Sequence, residues 1–64
     1  MHPEQATLDT VAAATDELAR RVGAAAVRLD GGDDQGLADD LFEVERSLRA
    51  AQRRIDKVLR RLDG

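Results

Sequence analysis

Apolar residues recur at alternating steps of three and four residues along both halves of the chain. In the first half, with one polar residue among seven, the positions are Leu8, Val11, Thr15, Leu18, Val22, Ala25 and Leu29. In the second half they are Leu37, Leu41, Val44, Leu48, Ala51, Ile55, Val58 and Leu62. Because an α-helix turns once every 3.6 residues, each series forms one stripe along a helix. The pattern predicts an all-α fold with helices over about residues 3–29 and 34–63.

A polar segment rich in Gly and Asp separates the two stripes at residues 30–36. Gly31 suits the left-handed conformation that ends many helices, and Asp33 or Asp34 suits the N-cap of the helix that follows. Pro3 suits the first turn of helix 1, where a backbone N–H has no helical partner. We therefore expect one domain, residues 1–64, built of two helices and a short loop.

The two stripes match each other in register. In an antiparallel hairpin, facing residues have numbers that add up to a constant, because both helices rise equally per residue. Each stripe position of helix 1 meets an apolar position of helix 2 at a sum of 66, from Leu8 opposite Val58 to Leu29 opposite Leu37. In this register Asp16 lies beside the basic end of helix 2. The sequence therefore predicts an antiparallel two-helix hairpin.

Two helices alone leave half of each stripe in water, and a chain of 64 residues buries only ~60% of its unfolded surface. Ala12, Ala19 and Ala26 lie beside the stripe of helix 1 and widen it toward the arc that a bundle requires. Gly23 is interpreted as an outward position that costs ~1 kcal/mol relative to Ala. We expect a homodimer, an antiparallel four-helix bundle in which the fifteen stripe residues form the core and the oligomer interface.

In layout and length this plan resembles the Rop family of plasmid copy-number regulators, short helical hairpins that dimerise and bind paired RNA loops. The RNA-binding face of that family is basic and aromatic and lies on the first helix. Helix 1 here has no Lys, no Phe and three Arg. The resemblance therefore implies the architecture and does not extend to the function.

Charge is sorted along the chain although the net charge is only -3. Residues 33–45 carry six acids and no base, whereas residues 46–64 carry seven bases and two acids. Arg46, Arg53 and Arg60 form a column at seven-residue spacing, and Arg49 lies nearby. Guanidinium groups pair well with phosphate or carboxylate, so this segment is a candidate surface for nucleic acid or for an acidic protein. The other interpretation is a solvated face, partly neutralised by Glu45 and Asp56.

Phe42 is the single aromatic residue, and the heptad places it on the outer side of helix 2. An exposed Phe can anchor a protein partner. Alternatively, it folds over the edge of the hairpin or packs inside a larger oligomer. Val27 and Leu59 are also outside the stripes, and each of the three can mark a second interface.

Catalytic and metal-binding groups are scarce. His2 is the only histidine, Ser47 is the only serine, and there is no Cys or Tyr, so no set of nucleophile, base and orienting group can be assembled. The acidic loop fails the EF-hand pattern, because Gln35 stands where Gly is required and Leu41 where Glu is required. We expect no enzyme activity, no cofactor and no metal.

One further resemblance concerns Glu43, Ser47, Arg49, Gln52 and Asp56. In order and type these residues resemble the coiled-coil motif with which actinobacterial anti-sigma factors bind cyclic di-GMP, which implies a cyclic-dinucleotide-binding hairpin as one alternative. The family separates the residues by three, two, three and three others, whereas the gaps here are three, one, two and three. At 100° per residue, this spacing distributes them over opposite sides of the helix.

Together the patterns favour a non-enzymatic module for protein–protein interaction, a small regulator or adaptor that self-associates. Its expected partners are a second copy and another protein, with Phe42, Arg46, Arg49, Arg53 and Arg60 as candidate binding residues. A nucleic-acid-binding regulator is the alternative. No apolar segment approaches the ~20 residues that cross a bilayer, so we expect a cytoplasmic protein without a membrane partner. The Arg-rich, Lys-poor composition is typical of a high-GC bacterium.

Overall fold

The computed structural model describes residues 2–63, and the first and last residues of the chain lie outside that range. It contains two α-helices, α1 over Gln5–Leu29 and α2 over Gln35–Asp63. The helices pack against each other as a hairpin with extents of 50 × 14 × 10 Å. The all-α hairpin predicted from the stripes is confirmed. Neither helix is long and apolar enough to cross a membrane.

The loop holds the two helix ends together with backbone and side-chain hydrogen bonds. Gly31 has a φ of +77°, the left-handed conformation expected there, and Asp34 Oδ1 accepts the N–H of Leu37 at 3.0 Å as the N-cap of α2. Gln35 Oε1 accepts the N–H of Gly31 at 2.6 Å, and Gln35 Nε2 donates to Asp30 at 2.7 Å. These contacts fix the tight reversal between α1 and α2.

The start of α1 is less well capped. The helix begins at Gln5, and Pro3 lies in the turn before it. Glu4 occupies the N-cap position without a side-chain hydrogen bond, while its own N–H donates to His2 Nδ1 at 3.1 Å. Thus α1 depends on its packing with α2 more than on a capping side chain.

The smallest side chains form the contact between the helices. Ala19, Ala26 and Ala38 are fully buried, and Gly23 is buried with them. The interpretation of Gly23 as an outward position is therefore wrong. The Glu45 carboxyl lies over Gly23 so closely that a Cβ added there would overlap it. Small residues at these positions let the two backbones approach each other.

The stripe residues lie beside this contact, along one side of the hairpin. Eight of them are half-buried: Leu8, Thr15, Val22, Ala25, Leu41, Leu48, Ile55 and Leu62. Seven are exposed: Val11, Leu18, Leu29, Leu37, Val44, Ala51 and Val58. The small flank of α1 faces α2, and the larger side chains of both stripes consequently share one broad face.

One ion pair between the helices supports the register. Arg49 on α2 contacts Asp16 on α1 at 2.8 Å, as expected from the sorted charges. Together with the contact of Glu45 on Gly23, it places the helices within about two positions of the predicted register. The other ion pairs found in residues 2–63 join neighbours on one helix.

Candidate functional site

The broad side of the hairpin that carries the fifteen stripe residues is the first candidate surface, and we call it the apolar face. Six of its large side chains are between 37% and 49% exposed, with Leu18 the most accessible. They come from both helices and recur along the length of the hairpin. An exposed apolar surface on a small chain is therefore the first place to look for association.

The dimensions of the apolar face fit a protein interface. The hairpin is 50 Å long and 14 Å wide, so one face covers roughly 700 Å². Stable interfaces bury about 800 Å² on each partner. A second copy of the hairpin therefore matches this face in size.

Five charged and three uncharged residues border the apolar face on its two outer edges. The border of α2 consists of Asp40, Ser47, Arg54 and Arg61, and the border of α1 consists of Thr7, Ala14, Arg21 and Arg28. All eight residues are exposed. They occupy the positions that flank a heptad core, where charges decide partner and orientation.

The opposite side of the hairpin, which we call the charged face, holds the candidate partner-binding residues. Phe42, Glu45, Arg46, Arg49 and Arg53 line a shallow groove there. Phe42 is half-buried in this groove rather than fully exposed.

The arginines of the charged face differ in what they contact. Arg46 forms an ion pair with Glu43 one turn earlier, and Arg49 donates to both Asp16 at 2.8 Å and Gln52 at 3.1 Å. Within residues 2–63, neither Arg53 nor Arg60 forms an ion pair. The cationic column is therefore partly neutralised by its own chain.

The Asp16 carboxylate on α1 accepts a hydrogen bond from Arg49 and forms an ion pair with Arg20. The hydrogen bond from Arg49 lowers the pKa of Asp16 below its ordinary value; desolvation opposes the shift, and Gln52 and Arg20 add to it. The pKa of Arg20 is raised, first by its hydrogen bond to Glu17 and then by the charge of Asp16. These interactions stabilise the ionised forms and fix Arg49 toward α1.

The residues that resemble the cyclic di-GMP motif are not brought together. Glu43 and Ser47 are exposed on α2, whereas Arg49 and Gln52 are half-buried toward α1. Arg49 already bonds to Gln52 and Asp16. The set therefore offers no single ligand face on one hairpin.

Within residues 2–63, no three His, Asp or Glu side chains are arranged to hold a metal ion. The loop acids have other contacts, because Asp34 caps α2 and Asp30 accepts from Gln35. His2 lies at the open end of the hairpin with Gln5, Leu62 and Asp63 around a shallow depression. Asp30, Asp34 and His2 therefore make hydrogen bonds at the ends of the helices.

One structural residue was missed in the sequence. Gln35 bridges the loop, and its position one residue after an N-cap Asp was the available signal. Leu59, expected outside the stripe as a mark of a second interface, is half-buried like Gln52. Its seven-residue spacing from Gln52, Glu45 and Ala38 was the signal for a second line of contact on α2.

No model of a known protein family, no curated protein and no solved structure matches the chain. The assignment of function therefore depends on the two faces described above.

Proposed function

We propose that the protein is a non-enzymatic interaction module, a small regulator or adaptor whose hairpins pair through the apolar face into a homodimeric four-helix bundle. The observation that carries this proposal is the set of large side chains, 37–49% exposed, on one face of the hairpin. Burying them is the main available source of further stability, because hydrophobic free energy scales with the apolar area removed from water.

The same pairing explains the small fully buried core. Within residues 2–63, the fully buried hydrophobic residues are three alanines. A hairpin of this size gains little from such burial, and its larger side chains become core only when a second copy covers them. Dimerisation and folding are therefore expected to be coupled.

The charged face stays in water in such a dimer and is the surface we assign to a protein partner. Phe42 supplies an apolar contact, and Arg53 supplies a cation without an internal ion pair in the described chain. A protein segment with carboxylates around an apolar side chain matches this combination.

A matched pair of glutamate variants tests the pairing. Leu18→Glu places a charge in the centre of the apolar face, and Val27→Glu places the same charge on the other side of α1, at a residue that is 66% exposed. We expect Leu18→Glu to abolish the concentration dependence of thermal unfolding and to lower Tm, and Val27→Glu to leave both unchanged.

Circular dichroism at several protein concentrations measures both variants. Equal effects of the two substitutions would contradict an interface on the apolar face.

A further inference from the structure

The border charges of the apolar face specify how two hairpins join. We infer that they pair with their loops at opposite ends of the bundle, so that α2 lies antiparallel against α2 of the second copy. This inference rests on the proposed dimer and adds its topology. Two symmetric arrangements bring the apolar faces together with antiparallel neighbours. In the first, the loops lie at the same end and α1 packs against α2 of the second copy. In the second, the loops lie at opposite ends and each helix packs against the same helix of the second copy.

The border of α2 is complementary to itself only in the second arrangement. Asp40 lies toward the loop, Ser47 in the middle, and Arg54 and Arg61 toward the open end, all exposed at seven-residue spacing. Rotation about the centre of the hairpin brings Asp40 against Arg54 of the second copy. It also brings Arg61 to the acidic loop and Ser47 to its own counterpart. By symmetry the contact of Asp40 with Arg54 and that of Arg61 with the loop each occur twice.

The first arrangement matches fewer charges. With the loops at the same end, Arg54 faces Ala14 of the second copy, Arg61 faces Thr7, and Arg21 faces Ser47. Only Arg28 meets an opposite charge, that of Asp40. The border therefore favours loops at opposite ends, because complementary charges select the orientation of paired helices.

The size of the side chains along the apolar face favours the same arrangement, independently of charge. We call each pair of stripe positions at one level, one from each helix, a layer. Thr15 and Ala51 form the smallest layer of the apolar face, and they lie one layer from its centre. With loops at the same end, this layer packs on itself and four small side chains share one level. With loops at opposite ends, it packs on Val22 and Val44, which fill the space that the small residues leave.

Double electron–electron resonance on nitroxide labels tests the topology. The chain has no cysteine, so Asp33→Cys places one label on each exposed loop of the dimer, and Ser47→Cys places one beside the inferred two-fold axis. We expect the two loop labels to lie about 50 Å apart, the length of the hairpin, and the Ser47→Cys labels to lie within about 20 Å, because adjacent helix axes are 8–10 Å apart.

Three outcomes are distinguishable. Loop labels about 50 Å apart with close Ser47→Cys labels support the inference. Loop labels within about 20 Å of each other overturn it and leave the dimer intact, because both loops then lie at one end. No intermolecular distance for either label, at concentrations where the chain is folded, overturns the proposed dimer and the topology with it.

Discussion

Gly23 is a buried residue of α1 at which the absence of a side chain leaves room for a side chain of α2. It is buried between Ala19 and Ala26, and Glu45 from α2 occupies the space where a Cβ would stand. A glycine within a helix costs about 1 kcal/mol relative to alanine. Since the group in its way is the flexible end of Glu45, the contact is adjustable.

We therefore expect Gly23→Ala to stabilise the chain when Glu45 is shortened. In a Glu45→Ala background, the free energy of unfolding in urea should rise by about 0.5–1 kcal/mol, and in the unmodified background by less, because the carboxyl must move. A loss of stability in both backgrounds would show that the backbone of α2, rather than Glu45, limits the approach.

Asp16 gives a second prediction at this scale. Its pKa is lowered in the folded chain, chiefly by the hydrogen bond from Arg49, so its ionised form adds stability above its ordinary value of 3.8. That contribution is lost as pH falls through the lowered pKa. Asp16→Asn should therefore lower Tm at neutral pH by a few degrees, and the difference from the unmodified chain should shrink in acid.

Thermal unfolding between pH 7 and pH 2 measures this difference, and Arg49→Gln is the control background. Without Arg49, the same Asp16→Asn substitution should change Tm little at any pH. A difference that stays constant with pH, or persists without Arg49, would contradict the assigned cause.

At the scale of the elements, the helices and their loop follow from the sequence, whereas the way they face each other does not. The spacing from Leu37 to Leu62 predicts α2 because steps of three and four residues place all these side chains on one side of an α-helix. The alanines beside the stripe of α1 recur with the same period as the leucines, so periodicity permits either row to face the other helix. The row of alanines faces α2 because small side chains let the two helix backbones come closer together. Side-chain size decides this, and the spacing of apolar residues carries no information about it.

The loop provides the prediction that belongs to this scale. Asp34→Ala removes the N-cap of α2 and should lower the free energy of unfolding by about 1 kcal/mol, because the Leu37 N–H loses its acceptor. The neighbouring Asp33→Ala is the matched control and should have a smaller effect. Urea unfolding of both variants decides this, and equal losses would mean that the charge of the loop, rather than the cap, is what stabilises α2.

For the whole molecule, the proposed pairing rests on the exposed apolar face and on the order of the charges along its border. The fifteen stripe residues were expected as core, and in a single hairpin they are half-buried or exposed. Their burial as a set requires a second surface of the same length, and in the proposed dimer that surface belongs to another copy. The four candidate partner-binding arginines were predictable only as a charged surface, because the contacts of Arg46 and Arg49 depend on side-chain geometry.

The mass of the unmodified chain in solution tests the proposed dimer most directly. Sedimentation equilibrium at micromolar concentration should give twice the chain mass of 7.0 kDa, with helix content retained, and the Leu18→Glu variant should give the single-chain mass. A folded, stable monomer at these concentrations would contradict the account, because the apolar face would then remain in water without a partner.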